Sequence, residues 1–189
     1  MDERATADWE AHVADTWATI DEITDARGGS GFRADIEELA AELPPGSAVA
    51  DFERASSFDS TGHPDRAVPL YREALRIGLT GERRRRAVIQ LASSLRNLGH
   101  PQESVALLRA ELEAGSDPLD DAVRATLALA LTDLGQAREG VSLLLLSLAP
   151  HLPRYQRSMA NYARVLTAPP EPGPALAQEK DPQADRSLP

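Results

Sequence analysis

Four consecutive arginines, Arg83-Arg84-Arg85-Arg86, are the strongest local sign of chemistry in this sequence. Successive side chains of a helix are rotated by about 100°, so only Arg83 and Arg86 share a face. They stand in the first turn of a predicted helix, where the helix dipole disfavours cations by about 0.3–1 kcal/mol each. Two explanations stay open. The arginines pair with nearby acids, such as Glu82 and those of residues 1–59, or they form a site for an anion or a carboxylate.

Other combinations of reactive residue types point to structure rather than to chemistry. Asp8, His12 and Asp15 lie at i, i+4 and i+7, which is conceivable for a metal but more typical of a solvated acidic face. His63 and His100 precede prolines at matching turns, which favours a structural role. The chain has no cysteine, which excludes disulfides, cysteine-ligated zinc, iron–sulfur clusters and thiol catalysis. With neither a nucleophile elbow nor a His-Glu-x-x-His motif, we expect no catalytic residue, no metal site and no cofactor.

The charge balance restricts the classes of partner. The 189 residues carry a formal net charge of −10 and have a pI near 4.9, which argues against a nucleic-acid binder. Residues 1–62 hold 15 acidic side chains and four arginines, whereas residues 63–167 hold 11 and 14. The start is acidic with no apolar core behind it, and the longest uncharged apolar stretch, residues 141–150, is about half a membrane span. These features predict a cytoplasmic protein that does not enter a membrane.

The acidic first segment, residues 1–46, reads as a pair of helices. An apolar stripe at spacings of 4, 4 and 3, from Trp9 to Ile20, predicts a helix over residues 6–25. Three glycines within residues 27–31 predict a flexible connector. A second helix is expected over residues 34–43, before the Pro-Pro-Gly sequence of residues 44–46 ends it.

From residue 47 onward the sequence repeats itself. Gly62, Gly99 and Gly135 lie 37 and 36 residues apart, and each opens a block in which valine and leucine positions recur in register. A further helix is predicted before each block, over residues 50–60, 82–97 and 119–133. Three helix–turn–helix units of this length, within residues 47–152, predict an α-solenoid.

The physical role of the recurring positions can be assigned from residue type. The turn glycines permit a left-handed backbone, and the prolines that follow at Pro64 and Pro101 suit the first turn of a helix. Small residues allow the two helices of a unit to approach, and a large residue three positions later fills the space beside each. These pairs are Ala55 and Phe58, Ala92 and Leu95, and Ala128 and Leu131.

This pattern resembles the tetratricopeptide repeat: a small residue, a large residue three later, a turn glycine, then Ala67-x-x-x-Tyr71-x-x-Ala74-Leu75. Residues 51–166 look like a bacterial subfamily of single-domain tetratricopeptide proteins. The chain departs from the pattern where an aromatic residue is usual, at Asp51, Val88 and Arg124, and where Ser104 and Gly140 replace alanine. The resemblance implies an all-α, right-handed solenoid that binds a protein or a peptide, with no catalytic residues to carry over.

Two further segments follow the repeats. Residues 153–167 read as one amphipathic helix, predicted to cap the last apolar face of the solenoid with polar groups outward. Residues 168–189 hold six of the fourteen prolines, which predicts a disordered, proline-rich tail.

The resemblance also assigns a candidate binding groove, because the first helix of each pair lines the concave surface of such a stack. A floor of small residues flanked by arginines and amides suits an extended peptide with an acidic or C-terminal carboxylate segment. The two-lysine clamp of chaperone-binding relatives is not reproduced. The sequence therefore predicts a non-catalytic scaffold that binds a protein or peptide. The alternatives are a sensor of a small peptide or anionic metabolite in the same groove, and an enzyme of unrecognised type. The predicted groove residues are Arg86, Gln90, Ser93, Asn97, Thr126, Leu129, Arg157, Asn161 and Arg164.

Overall fold

The computed structural model describes residues 3–169, and this part of the chain is built from α-helices and one short 3₁₀ helix, with no strand. The predicted tail falls almost wholly outside the described residues. The helices are α1 (Glu3–Ala18), α2 (Ile20–Ala41), α3 (Ala48–Ser60), α4 (Pro64–Arg76), α5 (Gly81–Asn97), α6 (Pro101–Ala114), α7 (Asp120–Asp133), α8 (Ala137–Leu148), the 3₁₀ helix (Ala149–His151) and α9 (Gln156–Thr167).

The helices from α3 to α8 form three stacked hairpins. Within each hairpin α3 packs on α4, α5 on α6, and α7 on α8, and each second helix also packs on the first helix of the next pair. The first helices contact one another as well, α3 with α5 and α5 with α7. We call α3, α5 and α7 the inner row, and α4, α6 and α8 the outer row. This arrangement confirms the predicted all-α solenoid.

The turns inside the hairpins have the predicted chemistry. Gly62, Gly99 and Gly135 have φ angles of 81°, 84° and 76°, in the left-handed region that side chains resist. In each turn the backbone N–H of the next residue donates to a carbonyl five positions earlier; for His63 the acceptor is Phe58, at 2.9 Å. Pro64 and Pro101 occupy the first helical positions of α4 and α6. The turns therefore satisfy carbonyls that a helix end would otherwise leave without partners.

Two apolar clusters hold the stack together, and both cross from one hairpin to the next. The first joins α3 and α4 to α5 and includes Phe52 and Tyr71, both fully buried. The second joins α6 to α7 around Leu108 and includes Ala92. Since each cluster spans adjacent units, no hairpin buries its apolar face alone.

A glycine allows close contact between α7 and α8. Gly140 in α8 lies so near α7 that a Cβ atom there would come within 2.8 Å of the carbonyl oxygen of Ala128. This explains why glycine stands where the repeat usually has alanine, since the small residue brings α8 against α7.

The N-terminal helices break at two places. The first helix ends at Ala18, which the sequence did not predict, and the chain leaves helical geometry again at Gly28 (φ 71°, ψ 170°), a kink inside the predicted connector that divides α2 into two helical parts. Beyond this kink the second part of α2 packs back on α1: Phe32 is fully buried, and its ring lies 4.9 Å from that of Trp17. Gly29 lies against Thr61, where a Cβ atom would come within 3.1 Å, so the glycine-rich turn packs on the first hairpin.

Candidate functional site

Arg86 is the predicted groove residue with the most distinctive surroundings. It lies in the first turns of α5, partly buried, and its guanidinium carbon stands 5.4 Å from the ring centroid of Phe52 on α3. Among residues 3–169 it forms no ion pair, and it lines a cavity of about 540 Å³. The cavity walls are the start of α3, the α4–α5 connection and Glu10 of α1. A cation on an aromatic face with open space beside it is an arrangement that attracts a carboxylate.

The first arginine of the run pairs with the acidic N-terminal segment, as one of the two predicted explanations requires. Arg83 donates from Nη1 and Nη2 to both carboxylate oxygens of Glu10, at 2.7 and 2.6 Å, and from Nε to Glu53 at 2.9 Å. Glu53 also accepts from the indole Nε1 of Trp17 at 2.9 Å. The hydrogen bond from Arg83 lowers the pKa of Glu10, and the same bond raises the pKa of Arg83. Arg83 thereby joins α1, α3 and α5.

The two middle arginines pair on the other side, with α6 and the start of α7. Arg84 and Arg85 both bind the carboxylate of Glu111, and Arg85 also donates to the Glu111 carbonyl at 2.8 Å and to Asp120 at 2.6 Å. Arg85 and Glu111 are both buried. Sequence reasoning missed Glu111, although a signal existed: it stands in the repeat register of Ala74, a core position, where a glutamate needs a buried cation.

A chain of polar groups crosses the inner row beside Arg86. The hydroxyl of buried Tyr71 donates to Ser56 at 3.4 Å, and Ser56 donates to the side-chain oxygen of Gln90 at 3.4 Å. Further along, Ser94 donates to the carboxylate of Asp59 at 2.8 Å. Burial raises the pKa of Asp59, and burial also raises the pKa of the Tyr71 phenol. Gln90 is therefore held by α3, with its amide N–H₂ group still available as a donor.

The remaining predicted residues of the inner row are small or exposed. Ser93 is half-buried, and Asn97 is exposed, with its side-chain oxygen 3.3 Å from Nη1 of Arg96. On α7 the hydroxyl of Thr126 donates to its own helix, to the carbonyl of Ala122, while Leu129 is half exposed. These side chains form a polar strip along α5 that becomes apolar at α7.

The structure does not bring the predicted α9 residues into the cavity of Arg86. Arg157 and Arg164 line a separate cavity of about 390 Å³ with Leu146 and the 3₁₀ helix, and Asn161 accepts from Arg164 at 3.0 Å. Helix α9 packs on α8 and on the 3₁₀ helix, but its backbone does not come close to that of α7. The 3₁₀ turn, with Pro150 in it, diverts the chain from the inner row. Apart from Arg86, none of the predicted groove residues lines the Arg86 cavity. The candidate site therefore consists of separate parts: this cavity, the residues further along α5 and on α7, and the group on α9.

The other reactive residues singled out from sequence do not assemble into a centre. Within residues 3–169 no group of three or more metal-ligating side chains is placed to hold an ion, and that includes the set Asp8, His12 and Asp15. His63 and His100 precede α4 and α6 without a side-chain cap hydrogen bond. None of the described helices combines the length and apolarity needed to cross a bilayer.

Comparison with known proteins agrees with this architecture. A family model described as "Tetratrico peptide repeat" matches residues 48–166, which is more than half of the chain and covers the helices from α3 to α9. No curated protein sequence matches with significant similarity.

Proposed function

Because the chain belongs to the tetratricopeptide repeat family, whose repeats generally mediate protein–protein interactions, we propose that it is a non-catalytic scaffold. It binds an extended peptide segment of another protein along the inner row. The ligand carries an acidic or C-terminal carboxylate group, and Arg86 receives it. Gln90, Ser93, Asn97 and Thr126 line the path of the peptide backbone, with Leu129 as an apolar contact at its end.

The observation that carries this proposal is the difference between Arg86 and its neighbours. Arg83, Arg84 and Arg85 are each neutralised by acids of the chain, whereas Arg86 forms no ion pair among the described residues. It lies between the Phe52 ring and an open cavity, whose lining includes Glu82 and Glu10, the second of which is already bound to Arg83. A partly desolvated guanidinium without a counter-ion gains more from a carboxylate than a solvated one does, typically about 1.5–3 kcal/mol for a charge-assisted bond.

The polar strip fits a main chain rather than an apolar ligand. An amide side chain both donates and accepts, as a peptide bond does, so Gln90 and Asn97 match the backbone of an extended segment. Gln90 is held in place by Ser56, which reduces the entropy lost when it binds.

The test is a calorimetric titration of a glycine–serine octapeptide ending in three aspartates with a free carboxylate, into the wild type and two variants. Arg86→Ala should weaken binding by about ten- to a hundredfold, since it removes a charge-assisted bond. Arg66→Ala is the matched control, because Arg66 also lies over a phenylalanine, 4.2 Å from the Phe58 ring, but belongs to the outer row. It should bind like the wild type. Equal binding by both variants would contradict the assignment of the groove.

The volume of the Arg86 cavity lies in the range of small-ligand pockets, which favours one alternative, a sensor of an anionic metabolite. Such a ligand would stabilise the folded state by RT ln(1 + [L]/Kd) through its contact with Arg86 alone, and would thereby raise the melting temperature. Citrate and inorganic phosphate serve as probes. A shift with either that Arg86→Ala abolishes, combined with no binding of the peptide, would replace the scaffold by the sensor.

A further inference from the structure

Helix α8 presents an apolar stripe to solvent. Val141, Leu144 and Leu148 follow one another at spacings of 3 and 4, so they share one helix face, and they are 47 %, 43 % and 50 % exposed. Leu129 on the neighbouring α7 is 50 % exposed as well. We call these four residues the end face. They make up half of the large hydrophobic side chains that the described part of the chain exposes.

In the first two repeats, the face that corresponds to the α8 stripe is covered by the next helix of the inner row. Leu144 occupies the position of Tyr71 in the first unit and of Leu108 in the second, and both of those are 0 % exposed. Tyr71 is covered by α5 and Leu108 by α7, within the two apolar clusters. The end face is thus the surface on which a solenoid receives the next helix of its inner row.

Helix α9 does not cover this surface, contrary to the capping role predicted for residues 153–167. It packs on another side of α8, where the Ser142 hydroxyl donates to the Ala163 carbonyl at 2.7 Å. Ser142 and Leu144 are two positions apart, which is about 200° around the helix. Because the backbone of α9 also does not approach that of α7, the inner row of the described residues ends at α7.

The charge distribution indicates what can cover the end face. All four of its members are neutral, and residues 140–148 carry no charge, in a chain whose net charge is −10. At the opposite end of the stack lie α1 and α2, where the acidic residues concentrate and where Trp9 and Val13 are already buried. Among the described residues, α1 and α2 expose no large hydrophobic side chain, which disfavours head-to-tail stacking of copies. Two end faces complement each other, since a two-fold axis pairs the same patch on both subunits.

We propose that the end face is a self-association surface, on which a second copy of the chain packs end face against end face. The pairing buries the stripe of α8 against its symmetry mate, with Leu144, the middle residue, nearest the two-fold axis. Residues 170–189 are less suited as the occupant, because their two large apolar side chains, Leu176 and Leu188, are twelve positions apart and form no helical stripe. The patch is small, so the dimer should be a weak one that forms as concentration rises.

The first test is sedimentation velocity over about two orders of magnitude in concentration, on the wild type and two variants. The wild type should move from monomer to dimer. Leu144→Arg places like charges across the axis and should stay monomeric throughout, with an unchanged circular dichroism spectrum. Tyr162→Arg is the matched control, since Tyr162 is an exposed apolar residue on α9 (61 %), and it should dimerise like the wild type. A wild type that stays monomeric, or a Leu144→Arg variant that dimerises, would overturn the proposal.

Cysteine cross-linking gives a second readout, because the chain has no cysteine of its own. Prior association raises the effective thiol concentration into the millimolar range, so Leu144→Cys should form disulfide dimers at least about tenfold faster than Val165→Cys. Val165 is the more exposed of the two, at 67 %, so random collision would favour it instead. Equal rates would contradict the two-fold pairing. A chain ending at residue 169 that dimerises while the full chain does not would identify residues 170–189 as the occupant and would also overturn the proposal.

Discussion

The four arginines of α5 show how the partner of a side chain, rather than its type, decides its role. Repulsion within the run and the dipole of the first turn both disfavour four cations in sequence. The structure offsets these costs by dividing the run between two acidic surfaces, Glu10 and Glu53 on one side, and Glu111 and Asp120 on the other. Among the described residues, Arg86 is the arginine of the run that pairs with neither surface. Its availability for a ligand follows from the pairing of the other three.

Replacement of Arg85 should be the most costly substitution in this run. Arg85→Ala leaves the buried carboxylate of Glu111 with only the half-exposed Arg84, so we expect a loss of about 3–5 kcal/mol in the free energy of unfolding. Urea denaturation followed by circular dichroism measures it. Arg66→Ala, which removes an exposed guanidinium outside any ion pair of the described residues, should cost less than about 1 kcal/mol. Losses of similar size for the two variants would show that the buried cluster contributes little.

At the scale of elements, α1 is attached to the solenoid by side chains more than by backbone packing. Its backbone approaches only α2 closely, while Glu10 reaches Arg83 on α5 and Trp17 reaches Glu53 on α3. Trp9 donates from Nε1 to the carbonyl of Leu39 at 2.8 Å. Because both tryptophans of the chain lie on α1 and both make these contacts, their fluorescence reports specifically on the docking of this helix.

We expect the docking of α1 to weaken in acid. The pKa of Glu10 is lowered from its ordinary value of 4.5 by the hydrogen bond from Arg83, so the ionised form stabilises the folded state. That contribution is complete above pH 4.5 and is lost as the pH falls through the lowered pKa. Tryptophan emission should therefore shift to longer wavelength in this range. Burial raises the pKa of Asp59, so its protonation has the opposite sign, but Asp59 makes no hydrogen bond or ion pair with either tryptophan.

A substitution tested at neutral pH isolates the effect of Glu10 on the docking of α1 from the effect of protonating the other acids. Glu10→Gln should produce the same emission shift at pH 7 and cost about 0.5–1 kcal/mol, the discounted value for a partly exposed pair. Asp8→Asn, on an exposed position of the same helix, should leave the spectrum unchanged. If Glu10→Gln also leaves it unchanged, the ion pair does not hold α1.

The junction between hairpins gives a second test at this scale. Ala92 is fully buried in the second apolar cluster, so Ala92→Leu should overpack it and lower stability by about 1–3 kcal/mol. Ala106→Leu makes the same change at an exposed position of α6 and should shift the melting temperature little. A melting temperature for Ala92→Leu that equals the wild type would mean that the repeats are aligned out of register.

For the molecule as a whole, the stack could be predicted because it rests on local signals that recur. Gly62, Gly99 and Gly135 mark the turns, and the buried alanines mark the helix contacts, independently of what lies elsewhere in the chain. Long-range contacts are different. Phe32 is buried against Trp17 across the kink at Gly28, and no local rule contains that contact.

The same distinction applies to the candidate site. Periodicity predicts that Arg86, Gln90 and Asn97 share one helix, and all three lie on α5, because a helix fixes its own faces. It grouped Arg157 and Arg164 with them by assuming that the stack continues in register. The 3₁₀ turn before α9 breaks that continuation, and its effect depends on how α9 packs on α8 rather than on spacing.

Amide chemical shifts show residue by residue whether the inner row binds the peptide. We would record ¹H–¹⁵N spectra of the labelled protein during titration with the aspartate-ended octapeptide, and repeat the titration with a peptide whose aspartates are asparagines and whose terminus is amidated. We expect shifts concentrated at Arg86, Gln90, Ser93, Asn97 and Thr126, which largely disappear with the neutral peptide. Shifts confined to the outer row of α4, α6 and α8, or equal for the two peptides, would contradict peptide binding on the inner row.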